Sequence, residues 1–247
     1  YESRKRYTQI GTFRNRLNYH RNGLCGNLHL CMKKWLLYMT HPMCLASLAY
    51  CLLFLTVLNK DVSFTSYLRW YETPGYLIGA IWATISLFSS FGGSVAPLIH
   101  RVTRSLTETG LIAVWLLWVF LFPASLSVLT NGRSFSVTYM ICSVIASRIW
   151  FSAFVLIHSQ LMEERIEDDD YERIMDIQKA IINFSTIASY VMVIFYSLPE
   201  DFAILINIST SSTLLGSVIY TFWCILYDRG PYQVVDEIGQ LKLYVRG

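Results

Sequence analysis

The sequence predicts an all-α membrane protein with six transmembrane helices, and three observations predict it. Six stretches of twenty or more residues are almost free of Asp, Glu, Lys and Arg, and an apolar helix needs about 20 residues to cross roughly 30 Å of hydrocarbon. The hydrophobic fraction is 54% and the charged fraction 15%, with a mean hydropathy of +0.41, high for a chain that must dissolve in water. Finally, backbone groups in lipid need internal partners, which leaves helices or a closed barrel, and no stretch shows the period-2 alternation of barrel strands.

In chain order, a basic, polar head (1–34) precedes the bundle (35–227), and a tail (228–247) follows. The head carries His20, Cys25, His29 and Cys31, soft ligands that Zn or Fe(II) can bind, although the spacing matches no structural zinc pattern and chance clustering is the plainer explanation. The first span, Trp35 to Asn59, has no Asp, Glu, Lys or Arg and carries only His41 as a basic group. Beyond Asn59, Lys60 and Asp61 the chain stays aromatic through Phe64, Tyr67, Trp70 and Tyr71 to Pro74. That pattern fits a helix that breaks and resumes, as in transporters, or an interfacial aromatic belt.

The second span, Thr73 to Ile99, holds Gly79, Gly92, Gly93 and Pro97, and the third, Thr109 to Gly132, holds Pro123. Such residues permit close helix contact and bending. The fourth, Ser134 to Met162, carries Arg148 near its middle, where a cation costs about 2.5–3.5 kcal/mol on insertion scales. Arg148 is therefore expected to face the bundle interior or a wet cavity, where it lines a transport path, holds a gate or simply fixes packing. His158 lies ten residues on, about 80° round the helix, and is either a proton or metal relay or a satisfied interfacial residue. An acidic run follows, with seven carboxylates between Glu163 and Glu172, a cation-attracting patch, a partner for the basic turns or a solvated loop.

The fifth span, Ala180 to Pro199, is preceded by Gln178 and contains Asn183, Ser185, Thr186 and Ser189. The sixth, Phe202 to Tyr227, contains Asn207, Ser209, Thr210, Ser211, Ser212 and Thr213. This polar content predicts faces buried against other helices or water.

Orientation follows from Lys and Arg in the gaps. Fifteen fall in the head, the turns after spans two and four (Arg101, Arg104, Arg165, Arg173) and the tail, against Lys60, Arg69 and Arg133 opposite. Both termini are thus expected in the cytoplasm, where anionic lipid accounts for the basic residues without nucleic acid. Cys44, Cys51, Cys142 and Cys224 lie in spans as small apolar residues, so a disulfide framework is not expected. The chain starts without Met or an apolar leader and reads as a piece of a longer protein. No Ser-His-Asp order or phosphate loop points to an enzyme.

Three stretches carry a resemblance. Phe54 to Asp61 resembles the ferroportin family's Tyr-Met-Thr-Val-Leu-Gly-Phe-Asp at its helix break. Leu98 to Ile112 resembles that family's basic turn followed by Arg-Thr-Gly-Leu-Ile, and Ser147 to Glu163 is similar to its Ala-Arg-Ile-Gly-Leu-Trp-Ser-Phe-Asp-Leu with a downstream Thr-Gln-Leu. Ile177-Gln178, Val191 to Ile194 and Pro199-Glu200 continue in order.

The resemblance implies one lobe, the C-terminal six-span half, of a major facilitator type iron exporter that works by alternating access. The head would be the linker from an N-terminal six-span lobe missing from this chain. It implies Fe2+ or a similar divalent cation as cargo with no permanently bound cofactor, Asp61 as a metal ligand, Arg148 and Gln178 along the path or gate, where the position of His158 adds a third candidate, and a multi-pass location, expected in the plasma membrane. The family's metal-binding Cys and His fall on Val62 and Ser189, and a further family Asp falls on Val155. Those departures argue against hepcidin-type regulation and leave a non-transporting scaffold or regulator, or an organic-solute permease, as alternatives.

Overall fold

A computed structural model describes residues 32, 34–36, 38–56, 61–129, 133–166, 168–196 and 202–228, and all regular structure among them is helical. Lys34–Thr40 (α1) meets Cys44–Leu53 (α2) at an angle of 99°. The bend sits at His41-Pro42, where Pro lacks an N–H and disfavours helical backbone in the residue before it. Trp223 Nε1 donates to the Pro42 carbonyl at 2.8 Å and pins the corner.

Asp61–Trp70 (α3) is short. It buries Phe64, Tyr67 and Leu68, a spacing of three and four that makes one helical face. Phe64 meets Trp82 edge-on at 5.8 Å, and Tyr67 stacks on Phe202 at 4.2 Å. The four long elements that follow are Gly75–Thr103 (α4), Leu106–Leu129 (α5), Arg133–Arg165 (α6) and Asp168–Phe195 (α7). Phe202–Trp223 (α8) runs into a π turn over Cys224–Asp228.

Among the described residues, five helices are long and apolar enough to cross a membrane: those of α4 to α7, and Phe202–Tyr227. The bent α1–α2 pair makes up to a sixth. This corrects the expectation of one continuous first span from Trp35 to Asn59: α2 has only 10 residues, about 15 Å, or half the hydrocarbon. The span breaks at Phe54–Thr56 and helix returns at Asp61, so the break is real and begins earlier than the polar residues at 59–61 suggest.

Helix α6 is the centre of the bundle, with α5 packed along it and α4 against another side, while α8 packs on α2 and α5. Of the glycines expected at close contacts, Gly92 alone has a neighbour within 4 Å of a Cβ built on it; Gly79 and Gly93 have none. On α8, Ser209, Thr210, Ser212 and Thr213 are buried as expected and Ser217 joins them, while Asn207 is half-buried and Ser211 is exposed. Of the polar residues expected to be buried in the fifth span, Ser189 is buried, Ser185 and Thr186 are half-buried and Asn183 is exposed.

Candidate functional site

A helix that stops inside a bundle leaves its last carbonyls without intrahelical donors, and in a membrane such groups need partners. At the end of α2 the partners are amides of the next turn, Leu55 N–H donating to the Leu52 carbonyl at 3.1 Å and Thr56 N–H to that of Leu53 at 3.4 Å, together with hydroxyls from two other helices. Ser212 of α8 donates to the Leu52 carbonyl at 2.9 Å. Ser189 of α7, at 0% exposure, lies 3.0 Å from the Leu55 carbonyl, 3.3 Å from that of Phe54 and 3.0 Å from that of Ser185 on its own helix. One hydroxyl proton serves one acceptor at a time, so these bonds are interchangeable.

Beside the break is a small cavity of about 20 Å³, reached by Leu53, Thr56, Leu117, Ser147, Arg148 and Thr213 among others. That is room for about one water molecule. Arg148 is 9% exposed, and its position on α6 puts it on the same cavity as the last turn of α2. The C-terminal end of a helix carries partial negative charge and favours a cation within about one turn. The broken helix thus supplies part of what a mid-span guanidinium needs.

His158 and Gln178 come together. They are 1% and 3% exposed, and His158 Nε2 lies 3.0 Å from the Gln178 side-chain nitrogen, bridging α6 and α7. Tyr50 stacks on the imidazole at 4.3 Å, and the adjacent Cys51 donates its thiol hydrogen to the Gln178 backbone carbonyl at 3.9 Å. The structure therefore separates the residues expected along the path into two groups: Arg148 at the break, and His158 with Gln178 nearly three turns away along α6.

Other expected residues are placed less fully. Asp61 opens α3 on the far side of the break, and its side chain lies outside the described residues, as does that of Val62. His20, Cys25, His29 and Cys31 also lie outside them. At the polar turns, Lys34 pairs with Asp176 at 3.5 Å and Arg173 with Asp170 at 3.1 Å. Among the described residues no ion pair joins Arg101 or Arg104 to the acidic run; Arg104 instead caps α4 in the left-handed region at φ 58°.

The roles of Ser189, Ser212 and Cys51 escaped the sequence reading. Serines spaced along an apolar helix signal buried contacts, yet nothing in the spacing says which carbonyl each will meet. Cys51 reads as one more small apolar residue until α7 is placed beside it.

Comparison with known proteins adds the following. A family model described as Ferroportin1 (FPN1) matches residues 12–213. The chain is 29% identical over 190 residues to "Solute carrier family 40 member 1" of Arabidopsis thaliana, covering 76% of this chain and 36% of that protein. It is 24% identical over 241 residues to "Ferroportin" of Homo sapiens, covering 75% and 42%. The chain thus spans about two fifths of the length of the curated relatives it matches. In fold it is similar to a bacterial homologue of iron transporter ferroportin in the outward-facing state, with a TM-score of 0.70 at 20% identity over 76% of this chain and 46% of that one. The inward-facing state of a bacterial homologue matches with a TM-score of 0.70 at 21% identity, over 74% and 45%.

Proposed function

Since the chain belongs to the ferroportin family, we propose that it forms the C-terminal lobe of a transporter exporting iron or another divalent metal ion by alternating access. The observation that carries this reading is the broken first span, whose end lines a cavity inside the bundle together with Arg148. Unwound backbone at a transporter's midplane presents oxygens to an ion, and Asp61, the first residue of α3 after the break, is the carboxylate the resemblance offers as a ligand. The equal likeness to the outward-facing and inward-facing relatives supports a lobe that moves as one body. Residues 1–34 would then link it to an N-terminal six-span lobe, with the tail from 228 and both termini in the cytoplasm and the assembly in the plasma membrane.

Ser189 gives the metal site of this lobe its own character. Where the resembling family has a soft His ligand, this chain has a hydroxyl engaged by the break's carbonyls. The donors at the break are therefore oxygens, and the absence of the soft pair at Val62 and Ser189 argues against hepcidin-type control. The same replacement is the specific observation favouring the scaffold reading, in which the lobe binds a partner and moves nothing.

Efflux of radiolabelled iron and of cobalt from cells expressing the full-length protein separates these readings. Efflux of one metal, blocked by the other, is the expected result. No metal-dependent flux in correctly localised protein would establish the scaffold, and flux of an organic solute without metal competition would establish a permease.

A further inference from the structure

Helix α1 is set across the bundle. It meets α2 at 99°, and α2 packs on α8, whose residues are long and apolar enough to cross a membrane. With α2 upright in the bilayer, α1 lies close to the membrane plane. Three contacts hold it there: the ion pair of Lys34 with Asp176, a 2.8 Å hydrogen bond from the Tyr38 hydroxyl to Ser47 Oγ, and the indole bond of Trp223 to the Pro42 carbonyl. The same contacts give its depth. Asp176 stands about one turn before Ala180, where the charge-free part of α7 begins, and Trp223 about one turn before Asp228, the charge that ends the apolar run of α8. Both ends of α1 are therefore within about 6 Å of the level at which its neighbours change from apolar to charged. That is the headgroup–acyl boundary, into which an amphipathic helix sinks its apolar face by about 5–10 Å.

The bundle uses one side of α1 and leaves another open. Lys34 and Tyr38 turn inward, and Tyr38 is 2% exposed. At about 100° per residue, Met32, Trp35, Leu36 and Met39 fall within an arc of about 100° away from those two. Met32, Leu36 and Met39 are 65%, 66% and 65% exposed, and Trp35 is exposed as well. A helix at a water-facing surface carries its polar side outward; α1 carries an apolar one. The chain that reaches it is strongly basic: residues 1–34 hold eight Lys and Arg against one carboxylate, Glu2. An anionic leaflet offers acyl chains to the first feature and headgroup charge to the second.

We propose that α1 is an interfacial helix that docks on anionic phospholipid, with Met32, Trp35, Leu36 and Met39 sunk into the acyl boundary at the end of the bundle where the chain enters. Trp35 suits that layer, since an indole has an apolar body and a polar tip. Because the Tyr38 hydroxyl grips Ser47 of α2, the lipid surface fixes the height at which α2 stands, and with it the break at the far end of that helix. The inference rests on the membrane reading of the bundle and is independent of metal transport.

The test places a fluorescent amino acid at position 36 of the full-length protein in nanodiscs, and at position 39 should the first variant fold poorly. Three quenchers are compared: a nitroxide high on the acyl chain, a nitroxide near its end, and aqueous iodide. The expected result is quenching by the shallow nitroxide about twofold or more stronger than by the deep one, with little from iodide. Dominant iodide quenching means that the face is in water, dominant deep quenching means that α1 crosses the membrane, and weak quenching by all three means that protein covers it; each overturns the proposal. At equal mole fraction, the shallow nitroxide on phosphatidylserine should quench about twofold more than on phosphatidylcholine, and Arg21→Gln with Lys33→Gln should narrow that difference. Equal quenching by the two lipids in the parent protein overturns the anionic assignment. A protein that quenches as expected and moves no metal loses the transport reading and keeps this one.

Discussion

Two seams in this bundle are built on opposite principles. Where α4 crosses α6, the contact is backbone on backbone: a Cβ on Gly92 would fall 2.5 Å from the Ile149 carbonyl oxygen and 2.5 Å from Ser152 Cβ. Where α2 ends against α7 and α8, the contact is hydroxyl on carbonyl, through Ser189 and Ser212. A gap of about 0.5–1 Å forfeits about a quarter to a half of a dispersion contact, so the first seam tolerates little displacement. A hydroxyl among several carbonyls can change partner at little cost, so the second can hold more than one geometry. The difference teaches that one helix pair is fixed by close packing and another by hydrogen bonds that can exchange.

The most forceful way to break the contrast is Gly92→Leu. A side chain there has no room, and overpacking of this kind costs about 1–3 kcal/mol or more. The expected outcome is loss of monodisperse protein or a large fall in melting temperature in detergent. Gly93→Leu, one residue along and open to space, should stay within about 0.5 kcal/mol of the parent. Equal damage from the two would show that α4 and α6 do not meet through Gly92.

Next comes Arg148→Gln, which acts beside the hydroxyl-on-carbonyl seam. It removes the charge from the cavity at the break while keeping most of the volume, so transport by the full-length protein should fall about tenfold or more, equivalent to about 1.4 kcal/mol, with expression and melting temperature nearly unchanged. Parallel loss of stability and flux would assign Arg148 to packing alone.

How much of this was legible beforehand depended on the range of the interaction. Spans two to six were readable because lipid imposes a local rule, about 20 apolar residues in a row, and Arg148 stood out because its burial is costly wherever its neighbours lie. The first span was readable as interrupted but not where: the helix stops at Leu53 because Ser189, Ser212 and the cavity at Arg148 receive its end, and those residues are distant in sequence. Pairing of His158 with Gln178 was hidden for the same reason. Gly79, Gly92 and Gly93 were indistinguishable until packing gave Gly92 alone a neighbour.

A smaller effect is expected from Ser189→Ala. It leaves the Phe54 and Leu55 carbonyls without their hydroxyl, at a cost of about 1 kcal/mol, and should speed backbone hydrogen exchange in the turn that follows α2 while the α4–α6 seam keeps its protection. Unchanged exchange there would mean that Ser189 does not hold the break.

The smallest effect, and the sharpest comparison, is the same atom deleted at the other seam. Ser89 and Ser152 share a hydrogen bond of 2.6 Å between α4 and α6, shorter than any contact Ser189 makes. Length alone would make Ser89→Ala the costlier change. The geometry argues otherwise, because Gly92 already fixes the approach of these helices, and each serine can bond back to its own helix when its partner is gone. Hydrogen bonds between membrane helices are worth about 0.6 kcal/mol on average, and Ser89→Ala should fall at or below that, with no change in exchange at the break. If Ser89→Ala proves more damaging than Ser189→Ala in melting measurements on the same preparation, the tight seam depends on its hydrogen bond rather than on Gly92, and the division between a fixed and an exchangeable contact is wrong.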